Sequence, residues 1–281
     1  MAQEHKRDGT DETILYKSAN LKDYEVLGSV PTGEGYFHVS PENKKVLFCI
    51  SAQAYGQKGI WKSQDGGRSW RNIFKEPVDF LLFYPTKATT MLVIKNNDPV
   101  GAEIFISKNQ GENWSKFSVI QKALSVSQIA VNPKDPKKMI AVAHNGVWST
   151  VDNGQTWSNI FTESRPAGVA YNPKSPDEAY LATQDGVYRV VNNEVSKMNI
   201  SEDCPNGWTR KLIFRPKTRT LYFLNEKENT SLCRIENGNA KTITTFESSK
   251  WSVFDLLFDS GSSKVLYGVS YDQLIKIELD N

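Results

Sequence analysis

Apolar and polar residues alternate along this chain in short runs, and nowhere do apolar residues recur at the spacing of a long amphipathic helix. The most apolar runs are KVLFCIS at 45–51, TMLVIK at 90–95, KMIAVA at 138–143, EAYLAT at 178–183, TLYFLN at 220–225 and KVLYGVS at 264–270. Each follows a shorter run and a turn. HVSPENKK, FYPTKA, VNPKDPKK, YNPKSPDE and FRPKTR place prolines at 41, 85, 133, 173 and 216, and FDSGSS at 258–263 occupies the sixth such position without one. Proline has no N–H for a strand ladder, so these positions end one strand before the next begins. The pattern is strand A, turn, strand B, six times over.

A second marker follows the B strands. SQDGGRSW at 63–70, SKNQGENW at 107–114 and TVDNGQTW at 150–157 share the pattern S/T-x-D/N-x-G-x-x-W at starts 44 and 43 residues apart. Alternating runs flank each, GIWK, EIFI and GVWS before and RNIF, SKFSV and SNIF after, so each is a hairpin turn joining strands C and D. A unit of four strands repeating at this period is a blade of a β-propeller. The sequence therefore predicts an all-β, six-bladed propeller of four-stranded antiparallel blades. It forms a single domain over 14–281, with 1–13 as a flexible tail. The last unit stops after LIKIEL at 274–279, and residues 14–29 are expected to pair with it and close the ring. A seven-bladed count, with 14–29 as a degenerate unit, is the alternative.

Turn chemistry accounts for the boxes. Asp65, Asn109 and Asp152 can accept backbone N–H bonds, Gly67, Gly111 and Gly154 can take positive φ, and Trp70, Trp114 and Trp157 can bury their indoles against a neighbouring blade. With Ser63, Ser107 and Thr150 opening the boxes, these twelve residues are read as structural. A metal or catalytic carboxylate would not repeat at blade spacing with one copy amidated.

These three stretches resemble the Asp-box, or bacterial neuraminidase repeat, of sialidases, other glycoside hydrolases, sortilin-type receptors and photosystem assembly factors. The resemblance covers three units; VVNNEVSK and IENGNAKT stand where the fourth and fifth boxes would be. It implies a propeller with boxes on the rim, away from the ligand-binding face, and leaves function open. Sialidases of this type use an arginine triad and an early FRIP-like motif; the nearest match, IFRP at 213–216, falls at a proline turn, so sialidase activity is not expected.

The loops between strands B and C, and those leading into strand A, share one face. They carry the carboxylates Glu34, Asp98, Glu163, Asp185, Glu226 and Asp272, and with them Tyr36, Asn145, Arg165 and Trp251. From this face Tyr55, His144, Gln184, Trp208 and Tyr271 are the candidate ligand-binding residues, because rings with polar edges suit sugars and peptides. No residue is assigned a catalytic role. A glycoside hydrolase would need two facing carboxylates and usually long cleft-building insertions, whereas AQAYGQK, NNDPVGA and ISEDCPNGW are the longest loops here. The reading is thus a non-enzymatic binder of a protein or glycan, with a glycoside hydrolase as the alternative.

Composition narrows the partners. A net charge of +2, from 34 basic and 32 acidic residues spread along the chain, carries no nucleic-acid footprint. Cys49, Cys204 and Cys233 lack metal-site spacing and are expected to be buried or idle thiols. The reading includes no metal, no cofactor, no nucleic acid and no membrane insertion, and expects a monomer. MAQEHKRDGTDE does not read as a leader, so the chain is cytoplasmic, or extracytoplasmic if a signal preceded Met1.

Overall fold

The computed structural model describes residues 2–5, 13–17, 23, 25–32, 35–51, 58–199, 204, 207–216, 218, 220–236, 239–246, 253, 255–258, 263–269 and 274–279. All regular structure among them is β, and the sheets have the antiparallel, up-and-down order of propeller blades. The fold is an all-β, six-bladed propeller preceded by a small N-terminal sheet. Contacts divide the chain into two compact units, Met1–Ser125 and Val126–Asn281.

The first unit begins with a three-stranded sheet of β1 (Ala2–His5), β2 (Thr13–Lys17) and β3 (Glu25–Val30). The first blade follows with β4 (Tyr36–Val39), β5 (Leu47–Ser51), β6 (Gly59–Ser63) and β7 (Arg71–Phe74). The second blade comprises β8 (Phe80–Tyr84), β9 (Lys87–Asn97), β10 (Gly101–Ser107) and β11 (Ser115–Gln121).

The second unit holds four blades. The third is β12 (Gln128–Val131), β13 (Met139–Ala143), β14 (Gly146–Thr150) and β15 (Ser158–Phe161). The fourth is β16 (Pro166–Tyr171), β17 (Glu178–Thr183), β18 (Gly186–Val191) and β19 (Glu194–Lys197). The fifth is β20 (Trp208–Phe214), β21 (Leu221–Glu226), β22 (Thr230–Glu236) and β23 (Asn239–Phe246). The sixth has, among the described residues, three strands, β24 (Asp255–Phe258), β25 (Val265–Val269) and β26 (Leu274–Glu278).

The cores lie between blades, which explains the unbroken apolar B strands. Every residue of β5 and of β13 is buried, because both faces of each strand are covered. Phe48 and Ile50 of the first blade pack with Leu81, Met91 and Val93 of the second. Val142 and Val147 of the third likewise pack with Leu181 and Tyr188 of the fourth.

Three expectations need correction. Among the described residues, 14–29 do not pair with 274–279. Instead β2 pairs with β1 and β3, and β26 pairs with β25 alone among the described residues. Local hairpins close short loops, at a smaller entropic cost than pairing the two ends of the chain. Residues 2–5, expected in a tail, form β1. The thiols are not all idle, since Cys204 and Cys233 form a disulfide joining the segment before β20 to β22. Cys49 is free and buried.

Candidate functional site

The box turns form one end of the blades. In the first, Ser63 Oγ accepts the Gly67 N–H at 2.8 Å and donates to Asp65 Oδ1 at 2.8 Å. Asp65 Oδ1 also accepts the N–H groups of Arg68 and Ser69 at 3.0 Å each, and Oδ2 accepts the Ser69 hydroxyl at 2.6 Å. In the second box Asn109 Oδ1 accepts from Asn113 N–H at 3.0 Å, so an amide does the carboxylate's work. In the third, Asp152 accepts from Thr150, from the Thr156 hydroxyl and from the Thr156 N–H. The hydrogen bonds from the Thr156 and Thr150 side chains and the Thr156 backbone lower the Asp152 pKa from 3.8 to about 2. Those from Ser69 and Ser63 hold Asp65 well below the ordinary range.

Two consecutive residues in each box have positive φ: Gly66 and Gly67, Gln110 and Gly111, Asn153 and Gly154. The first of each pair sends its N–H to the A–B hairpin of its own blade, to Lys45 O and Lys137 O in the turns and to Thr89 O near the start of β9. Gly111 meets a second demand, since a Cβ there would lie 2.3 Å from Cδ1 of Ile73 in the preceding blade. The tryptophans are half-buried rather than fully enclosed. Trp114 packs edge-on against Phe74 of the preceding blade at 5.5 Å, and the Trp70 N–H returns to Gly67 O at 3.0 Å. The next strand starts at the sheet edge, which leaves one rim of each indole in solvent.

The opposite end carries the B–C turns. His144 and Asn145 are exposed in the β13–β14 turn, and Gln184 and Asp185 are exposed at the matching turn between β17 and β18. Gln184 N–H donates to Arg165 O at 2.9 Å, tying this turn to the segment before β16. Trp208 opens β20 half-buried, with the Arg210 guanidinium 4.4 Å from its ring centroid and Arg210 Nε 2.5 Å from Glu226. His144 and Gln184 thus occupy equivalent places on neighbouring blades, and Trp208 lies on the next. Tyr55, Tyr271, Trp251, Glu34 and Asp272 lie outside the described residues.

Two carboxylates at this end, Asp98 and Asp185, act as hydrogen-bond acceptors. Asp98 takes the Ser125 N–H at 3.0 Å and its hydroxyl at 2.6 Å. Asp185 takes Thr183, Tyr188 and Lys197. Burial opposes ionisation of Asp185, but hydrogen bonds from Ser164, Lys197, Thr183 and Tyr188 outweigh it and hold its carboxyl well below the ordinary range. Thr183-x-Asp185 repeats the Ser/Thr-x-Asp hydrogen bond of the boxes, a signal visible in the sequence as TQDG. Among the described residues no group of three His, Cys, Asp or Glu side chains could hold a metal, and no helix is long and apolar enough to cross a membrane.

The sequence pattern of the Sortilin-Vps10 family, described as sortilin, neurotensin receptor 3, matches residues 102–271, more than half of the chain. The chain belongs to the sortilin family. No curated protein sequence matches it. Solved structures match this sortilin-family chain in fold. The GH74 xyloglucanase of Xanthomonas campestris has 11% identity and a TM-score of 0.67, over 86% of this chain and 43% of the enzyme. YCF48 bound to D1 peptide has 13% identity and a TM-score of 0.64, over 92% and 84% of the two chains. The Cps50 (Swd1) β-propeller domain of Myceliophteria thermophila has 10% identity and a TM-score of 0.64, over 87% and 82%. The sortilin-family chain spans less than half the length of the GH74 enzymes it resembles.

Proposed function

We propose that this sortilin-family propeller is a non-enzymatic recognition module that binds a protein or glycan through the B–C turn end of its blades. Tyr55, His144, Gln184, Trp208 and Tyr271 are the contact residues in this reading. The observation that carries it is the state of the carboxylates. Asp98 accepts from Ser125 and Glu226 is paired with Arg210, so both are already engaged, and Asp185, held ionised by its hydrogen bonds, is the opposite of a general acid, which needs a raised pKa. The exposed imidazole and amide of His144 and Gln184 suit hydrogen bonding to a ligand instead. The disulfide supports work in an oxidising compartment.

The test is a glycan array and a panel of aryl glycosides and xyloglucan oligosaccharides on the purified protein. The proposal expects binding without hydrolysis, with His144→Ala/Gln184→Ala weakening the bound partner about tenfold or more at an unchanged melting temperature. The second reading, a glycoside hydrolase, draws on the fold likeness to the xyloglucanase. Release of reducing sugar that disappears in Glu163→Gln would establish it and overturn the first.

A further inference from the structure

Trp208 begins β20, where the chain passes from the fourth blade to the fifth. We propose that the fifth blade holds this ring in a preset orientation, and that Asn225 and the Cys204–Cys233 disulfide are its positioning groups. The inference rests on the reading of Trp208 as a ligand contact and names what places it.

The first residue of a strand has no ladder before it and frays readily unless something ties it down. Here both flanks of Trp208 are tied. Four residues earlier, Cys204 is 1% exposed and bonded to Cys233 in the centre of β22, among Ala182 and Val187 of the fourth blade and Leu212 and Phe223 of the fifth. Gly207 then lies against the end of β21, where a Cβ would come within 2.2 Å of Glu226 O and 2.9 Å of Asn225 Oδ1. On the other flank Thr209 is fully buried. The Asn225 amide spans the two, donating from Nδ2 to Gly207 O at 3.3 Å and to Thr209 Oγ1 at 3.4 Å. Each bond is long and weak by itself, but together they fix the backbone on either side of one side chain.

The residue type at this position supports the role. The apolar B runs end in Ala143 in the third blade, Thr183 in the fourth and Asn225 in the fifth. Thr183 spends its hydroxyl within its own turn, on Asp185 and Gly186 O. Asn225 is fully buried and turns instead to the strand that carries Trp208. An amide buried at the end of an apolar run is costly unless its hydrogen bonds are used. The ring is also backed by charge. Pairing of β20 with β21 shifts register between Thr209 and Lys211, and this bulge accompanies the stacking of Arg210 on the indole, with Glu226 holding the guanidinium. A ring fixed before the ligand arrives loses little freedom on binding.

Acrylamide quenching of tryptophan fluorescence reads this placement without any ligand, so the inference and the reading it rests on fail separately. The Trp208 contribution is the difference between each protein and its own Trp208→Phe counterpart, measured well below melting. In Asn225→Ala, Gly207→Ala and Cys204→Ser/Cys233→Ser its quenching constant should rise about twofold or more, while that of the remaining tryptophans holds. Val142→Ala, in the core between the third and fourth blades, should lower the melting temperature and leave Trp208 as it was. A group whose variant leaves Trp208 unchanged is no part of the clamp, and no change in either Asn225→Ala or the cysteine variant overturns the proposal. An equal rise in Val142→Ala overturns it too, since general loosening would then account for the effect. Asn225→Ala keeps the disulfide and decides alone if the cysteine variant does not fold.

Discussion

Asp152 shows how a box residue contributes through its ionisation. Its pKa is about 2 in the folded chain against an ordinary 3.8, so its stabilising effect is fully present above pH 4 and is lost as pH falls towards 2. Melting temperature should drop over that window, and Asp152→Asn, which copies Asn109 of the second box, should flatten the drop. The paired left-handed residues make a second prediction. Asn153→Gly relieves a side chain held at φ 62° and should leave stability unchanged or raise it by up to about 1 kcal/mol, while Gly154→Ala, at φ 79°, should lower it by about 1 kcal/mol or more. Chemical denaturation of the two variants reads both signs. The glycine of D-x-G was legible in the sequence. The left-handed residue before it was less so: Gly66 and Asn153 are types that favour a positive φ, but Gln110 at the same position is not, so no residue type repeats there.

At the level of a blade, the box joins its own A–B turn and, through its tryptophan, the preceding blade. Trp114→Ala removes a half-buried indole from Phe74 and should cost about 2–3 kcal/mol, below the range for full burial, in urea unfolding. The strands, their order and the box turns could be read from apolar runs and turn residues, since each is fixed within a few neighbouring positions. The disulfide could not. Its cysteines stand 29 residues apart and meet only because β20, β21 and β22 pair in sequence. A Cys204→Ser/Cys233→Ser variant should lose about 2–4 kcal/mol, and the intact protein should offer one thiol to a thiol reagent only after denaturation.

For the molecule as a whole, six blades were legible because their markers repeat, whereas the N-terminal sheet carries KSANLKDY at 17–24 in place of a full box and was read as a closing strand. The sheet has work of its own. Leu15 and Val30 are fully buried, and Val30 packs with Cys49 and Trp61 of the first blade. Gly28 lies so close to the first box that a Cβ would meet Gly67 O at 2.4 Å. Deleting residues 1–30 should therefore uncover the first box and lower the melting temperature by several degrees. An unchanged transition would show that the sheet is dispensable. The candidate site was less legible than the fold, because an exposed His144 or Gln184 is written in the same letters as any polar turn. Which loop carboxylates are engaged depends on distant partners such as Ser125 and Lys197.

Cys49 gives the order of synthesis a meaning. A third cysteine beside a disulfide is a hazard during oxidative folding, because its thiolate can capture the wrong partner. Here burial pushes that thiol up to about 12, and it packs in a cluster with Val30 and Trp61. It also precedes Cys204 by more than 150 residues. A chain emerging from its N-terminus can fold the blade around Cys49 before Cys204 and Cys233 exist to compete for it. Vectorial growth thus protects the pairing, and refolding of the full-length reduced chain, in which all three thiols are exposed at once, should yield more mispaired product than synthesis does.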